Sequence, residues 1–288
     1  FTPKETVSTA PSADASEPSR VVRVSLPRIA IERAWVSGVI APPLAVDADV
    51  SRLVGSVLVG PEGVAVDVER TAVLDRSFLP AKTQGTATYH LRVNEETAHM
   101  WASFAGTLGD VQVLVRAELD GERLVASAEV PRAAPDELEA LLPGLAVREP
   151  LRARVTIDGD IPSFDVTAAL ALAGSSDDVV RVEGRFDASG PLSAALDVRT
   201  KWLDASAFHA SLPPTSISAE ARVAVVLDED DEPSLTLDGR SAPMLLEGQL
   251  VPAADVHLAL VRGVLGGEAH LYEPGMPTDV SFVVTTDD

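Results

Sequence analysis

Polar and apolar residues change places at nearly every step between Leu151 and Leu227. Leu151, Ala153, Val155 and Ile157 fall on one parity, and Arg152, Arg154, Thr156 and Asp158 on the other. Val180, Val182, Gly184 and Phe186 alternate in the same way with Arg181, Glu183, Arg185 and Asp187. Leu192, Ala194, Leu196 and Val198 continue the pattern, followed by Ile217, Ala219, Ala221, Val223 and Val225. Successive side chains of a strand point to opposite faces, so this period predicts four short strands, each with one apolar and one wet face. No helix keeps a period of two.

The same rhythm runs through most of the chain. Val22, Val24 and Leu26 open it, with Ile29 and Ile31 resuming after Pro27, and Pro42-Pro43 marks a turn. Val57 to Val59, the turn Gly60-Pro61-Glu62-Gly63, and Val64, Val66 and Val68 read as a hairpin. Gly85 to Val93 is a further strand. Val111 to Leu119 and Leu124 to Val130 flank Asp120-Gly121, a strong hairpin signal. Towards the end, Leu235 and Leu237, Met244 to Val251, Val256 to Val264, Glu268 to Tyr272 and Val280 to Val284 are expected strands. Turns are expected at Gly239, Pro252, Gly266-Gly267 and Pro274-Gly275. The fold class is mainly β, built of repeated antiparallel strands.

Helical signals are few. Asn94 followed by Glu95 and Glu96 predicts a short helix to about Trp101, with a capping side chain and acids in the first turn. Pro135 to Pro143 predicts a second, with Leu138, Leu141 and Leu142 on its buried side, and Asp204 to Pro213 a third. The last two are stubs ending Leu-Pro, 70 positions apart, and Leu79-Pro80 lies 63 positions before the first. This is a degenerate internal repeat of several strands and a stub. It divides the chain into a linker over 1–20, rich in Pro, Ser, Thr and Ala, and β-repeat regions over 21–134, 135–203 and 204–288.

Composition narrows the function. A formal charge of -21 and a pI near 4.5 argue against a nucleic-acid partner, which needs a concentrated cationic face. The same charge argues against adsorption to anionic headgroups. The absence of cysteine excludes thiolate metal sites, disulfides and cysteine nucleophiles. No run approaches the roughly 18 apolar residues that span a bilayer. The opening at Phe1 and the close at Asp288 suggest an internal piece of a longer protein.

Chemistry-bearing motifs are sparse. The histidines (His90, His99, His209, His257 and His270) show no metal-ligand spacing, and no nucleophile elbow, phosphate loop or dinucleotide fingerprint is present. Asp158-Gly159-Asp160 has the look of a carboxylate pair, but an Asp-Gly turn accounts for it. The acidic run Asp228 to Glu232 lacks the glycine and downstream glutamate of a calcium loop and reads as a solvated hairpin tip. Neither a catalytic residue, a metal nor a cofactor is expected. Only twelve aromatics stand against abundant Val, Leu and Ala, which tilts the apolar face away from a plugged sandwich core.

Leu192 to Val225, with Leu203-Asp204-Ala205-Ser206-Ala207-Phe208 before Leu212-Pro213, resembles the repeats of the AsmA-like proteins. The nearest likeness is to the TamB branch, the inner-membrane component of the translocation and assembly module. Ile31 to Val36, Asp47 to Val50 and Asp136 to Pro143 share the same phrasing, so the resemblance covers about residues 21 to 285, in rhythm and not in an invariant signature. It implies an elongated, twisted β-trough (a β-taco) with an apolar interior and short helical stubs. It also implies a bridge across the periplasm of a two-membrane bacterium, anchored in the inner membrane, that carries phospholipid and supports outer-membrane biogenesis. The partners it implies are a phospholipid or other acyl-chain lipid and an outer-membrane barrel assembly protein.

The residues agree with that implication, because a lipid path needs a continuous apolar surface, at about 0.8 kcal/mol per buried CH₂, and no catalytic group. Val155, Ile157, Val182, Phe186, Leu196, Val198, Val223 and Val225 are the expected lining. Two other classes remain open at this point. One is a non-enzymatic β-repeat scaffold with a solid core that docks outer-membrane assembly partners. The other is a carbohydrate-active β-solenoid enzyme using Asp158, Asp160 and Asp187.

Overall fold

The computed structural model describes residues 23–41, 44–75, 83–94, 97–142, 147–208, 212–227, 233–261, 264–272 and 278–285. The linker expected over 1–20, Pro42-Pro43, Leu79-Pro80, His209, the Asp228 to Glu232 run and Pro274-Gly275 lie outside them. Seven strands come first: β1 (Val24–Ala41), β2 (Leu44–Gly60), β3 (Gly63–Asp75), β4 (Thr83–Val93), β5 (Ala98–Leu108), β6 (Val111–Asp120) and β7 (Arg123–Ala133). Helix α1 (Pro135–Leu141) separates them from β8 (Leu151–Asp160), β9 (Ser163–Leu172), β10 (Val180–Asp187) and β11 (Ser193–Leu203). Helix α2 (Ala205–Phe208) leads into β12 (Thr215–Leu227) and β13 (Pro233–Ser241). The hairpin β14 (Met244–Leu246) and β15 (Gln249–Val251) follows, then β16 (Ala254–Val261), β17 (Val264–Leu271) and β18 (Thr278–Thr285).

The alternation becomes a single antiparallel sheet. Each strand from β2 to β13 pairs with the one before it, β13 passes directly to β16, and β17 and β18 complete the run. The β14–β15 hairpin leaves this line: β12 outlasts β13, and its first residues pair with β14 instead (Thr215 with Leu246, Ser216 with Leu245). The sheet is open, twisted and apolar on one face, a trough with helical stubs on one rim.

Two rims follow from the meander. One is made of tight turns, such as Gly60 to Gly63 and Asp120 to Arg123. The other carries α1 between β7 and β8, and α2 between β11 and β12. The stubs are thus four strands apart, and Leu79-Pro80 falls four strands earlier, between β3 and β4. This explains the repeat in the sequence: the unit is four strands and a stub, advancing roughly 19 Å at ordinary strand spacing.

Several sequence expectations need correction. The region from Leu151 to Leu227 holds five strands and not four, since β9 was hidden by alanines on its polar side (Ala169, Ala171) that blur the alternation. The helix expected from Asn94 is a hairpin connection. Asn94 Oδ1 does accept the Thr97 backbone N–H (2.6 Å), but Ala98 then pairs with Val93 and β5 begins. The same local bond starts a helix or closes a turn, and here strand pairing decides. The turn expected at Asp158-Gly159-Asp160 sits one step later, at Ile161-Pro162. Gly239 and Gly266-Gly267 are strand interior, and the run Val256 to Val264 breaks between Val261 and Val264, which pair with each other. Leu142 is exposed and does not share the buried side of α1.

Candidate functional site

Directly opposed residues in an antiparallel ladder share a face, so the register can be followed strand by strand across the sheet. One row starts at Leu26 on β1, passes Val57, Val66 and Leu91, continues through Leu124, Phe186 and Leu235, and ends at Val284 on β18. The neighbouring row runs from Ile29 through Val68, Ile157, Leu196 and Val223 to Phe282. Each crosses sixteen strands, all but the side hairpin, and every member is Gly, Ala, Val, Leu, Ile, Met, Phe or Tyr. At about 4.8 Å per strand this apolar band is roughly 72 Å long.

The eight expected lining residues all lie on this face, over β8 and β10 to β12. Phe186 and Val225 belong to the first row, Ile157, Leu196 and Val223 to the second, and Val155, Val182 and Val198 to a third beside it. The sequence reading missed how far the band extends. The rows also recruit Met100, Leu119, Phe164 and Leu258, whose alternation was legible but whose shared row depends on register.

Glycines fit large neighbours into the band. A Cβ on Gly184 would lie 2.7 Å from Leu196 Cδ2, and one on Gly267 would lie 2.6 Å from both Leu258 Cδ2 and Phe282 Cζ. The side chains opposite therefore lean across bare backbone, which is why these glycines are interior and not turns. Phe164 and Phe186 stack at 5.7 Å between ring centroids.

Among the described residues, no second layer covers the band. No large side chain among the described residues is fully buried, and Val155 is 36% exposed in mid-sheet. What packing there is gathers at the stub rim, where Val111, Ala133 and Leu141 form a small core with Leu108, Val113, Val130 and Leu138.

The opposite face is charged and carries ion pairs across the ladder. Arg222 pairs with Asp197 (3.2 Å), Arg240 with Asp255 (2.7 Å), and Arg92 with Asp67 (2.8 Å). His90, His257 and His270 each meet the aspartate directly across the ladder: Asp67, Asp238 and Asp279. The hydrogen bond from Arg240, then that from the Tyr272 hydroxyl, holds the Asp255 carboxyl down at about 2. Asp67 is lowered chiefly by the His90 hydrogen bond, which together with Arg92 outweighs the upward push of burial. A hollow of about 940 Å³ lies on this polar face between β11 and β18. A twisted sheet is saddle-shaped, so each face is concave along one diagonal. Paired ions line this hollow, and no group of three or more potential metal ligands occurs among the described residues.

The acids considered for catalysis do not converge on a cleft. Asp158 is exposed and bound to Arg123 (2.8 Å), Asp160 ends β8 at the turn, and Asp187 accepts hydrogen bonds from the Ser189 N–H and hydroxyl. Those bonds, hydroxyl first, lower the Asp187 carboxyl. That is the opposite of what a general acid requires.

Fold and face together define a class: an open β-trough presenting a continuous apolar band. No protein-family model matches the chain, nor does any curated protein or solved structure.

Proposed function

We propose that this chain is a stretch of lipid-carrying trough of the AsmA-like kind, nearest the TamB branch, and that it is not an enzyme. The observation that carries the reading is the pair of unbroken apolar rows across sixteen strands, with no packed layer over them among the described residues. A scaffold with a solid core would bury these rows against a second sheet. Acyl chains laid on them remove apolar surface from water on both sides at once. On this reading the protein works in the periplasm of a two-membrane bacterium, tethered to the inner membrane by an anchor outside this sequence. There it passes phospholipid towards the outer membrane and an assembly partner.

The test is a native mass spectrum of gently purified protein, with phospholipid counted per chain. Leu196→Glu places a carboxylate in the second row, where burial against an acyl chain costs several kcal/mol. It should strip or block bound lipid. Arg199→Gln, on the charged face, removes only an exposed 3.7 Å pair with Glu220 and should leave lipid unchanged, with stability within about half a kcal/mol. Equal loss in both variants, or lipid absent from the wild type, overturns the reading.

A further inference from the structure

The two rims of the trough are built differently, and the difference assigns the direction from which a lipid enters. On the turn rim the last inner row is Val24, Val59, Val64 and Val93, paired edge to edge across β1 to β4. These valines are 44%, 39%, 36% and 37% exposed, and Ile161 and Leu192 in later turns of the same rim are 46% and 43% exposed. A ladder of half-exposed valines at the mouth of an apolar band is a surface over which an acyl chain can slide without crossing charge.

The stub rim is the reverse. The buried apolar residues concentrate here: Val111, Ala133, Leu141, Val147, Leu151 and Ala207 are all under 9% exposed. Leu138 and Leu141 of α1 join one apolar cluster with Val113 and Val130, which belong to the inner face. The helix is set by Pro135 in its first turn and by the Glu137 carboxylate, which accepts the Ala134 N–H at 2.7 Å. Four strands on, α2 is pinned by the Ala207 carbonyl accepting the Arg148 N–H (2.9 Å). The stub rim does expose Leu142, Trp202, Leu212, Leu250 and Tyr272, but Trp202 sits in the β11 bulge, Leu250 in the side hairpin, and Leu142, Leu212 and Tyr272 in connections, outside the inner rows.

We propose that the helical stubs seal one rim, so that lipid enters and leaves laterally through the turn rim alone. The acyl chains then lie across the band with the headgroup over the turns. The proposal rests on the lipid reading and deepens it: the ligand is a lipid whose headgroup stays in water, beside turn residues such as Asp120, Glu122 and Asp160, and is not gripped by a pocket.

Photocrosslinking tests this in the full chain. A leucine-sized diazirine amino acid is placed singly at Val64 and Val93 on the turn rim, at Val113 and Leu203 on the stub rim, and at Leu196 in mid-band. Each protein is incubated with phosphatidylcholine vesicles, irradiated, and examined for lipid adducts. Adducts at Leu196, Val64 and Val93, at least about fivefold above those at Val113 and Leu203, are expected, a partition of about 1 kcal/mol. Equal yields at the two rims, or higher yields at the stub rim, overturn the proposal while leaving the lipid reading intact. Adducts nowhere, Leu196 included, overturn both. In the variant Leu138→Asp/Leu141→Asp, checked for β structure by circular dichroism, the Val113 adduct should rise to the level of Val93. An unchanged low Val113 yield in a folded variant would show that the stub is not the seal, and the comparison of rims in the unaltered chain stands without this variant.

Discussion

At the scale of residues, the apolar band is maintained by what each position omits. Gly184 and Gly267 omit a side chain so that Leu196, Leu258 and Phe282 can lean over the backbone. The charged face instead relies on partners directly across the ladder, where described histidines and arginines find aspartates. Asp255 gives this a pH signature. Its carboxyl is held at about 2 by Arg240 and Tyr272, below its usual value, which is about 3.9 in an unfolded chain. A depressed carboxyl stabilises the fold fully above the unfolded value and loses that contribution as pH falls through the folded one. Thermal stability measured between about pH 4 and pH 2 should therefore fall more steeply for the wild type than for Asp255→Asn. Parallel curves would mean that the Arg240 pair contributes nothing in solution.

The strands run from three to 18 residues, and the joints between them are where local chemistry decides the outcome. The bend from β11 through α2 into β12 is held by a reciprocal set of hydrogen bonds. Asp204 Oδ1 accepts from the N–H groups of Ser206 and Thr215 (3.0 Å each), and Thr215 Oγ1 accepts from the Ala205 N–H (2.7 Å) and donates to the Leu203 carbonyl. Burial would raise the Asp204 carboxyl, but the Thr215 N–H and the Ser206 bonds outweigh it and lower it. Asp204→Ala should cost about 1 kcal/mol, as the loss of a capping side chain does, read as a shift in denaturant midpoint with an unchanged slope. The failed helix at Asn94 teaches the same point from the other side. Its side chain makes the bond that caps a helix, but Ala98 onwards finds a strand partner, and so the bond closes a turn.

The whole molecule is a sheet with edges. Among the described residues β1 and β18 each have one neighbour, and Val280, Phe282, Val283 and Val284 on β18 are all more than 40% exposed. Unpaired backbone beside apolar side chains is a template for further strands. The charge of -21 opposes such contact at low ionic strength. Raising salt from about 0.01 to 1 M shortens the screening length from about 30 to 3 Å, and sedimentation should then show the isolated chain passing from monomer to associated species. A monomer at every salt concentration would indicate blocked edges.

The alternation from Val22 to Val284 was enough to fix strand character and apolar parity for most strands, though not for β5 or β9, and with them the mainly β class, because a period of two is a property of neighbouring residues alone. The proline-bounded stubs at Pro135 and Ala205 were legible for the same reason: their caps and breakers are local. Register was not, and with it went everything that depends on which residues face one another. Only pairing could join Leu26 to Val284 in one row, turn Gly239 and Gly267 from expected turns into strand interior, and reveal β9. The absence of a second layer among the described residues, and the contrast between a bare turn rim and a packed stub rim, were likewise decided in three dimensions. A sequence states that a face is apolar, but only the folded chain shows whether anything lies against it.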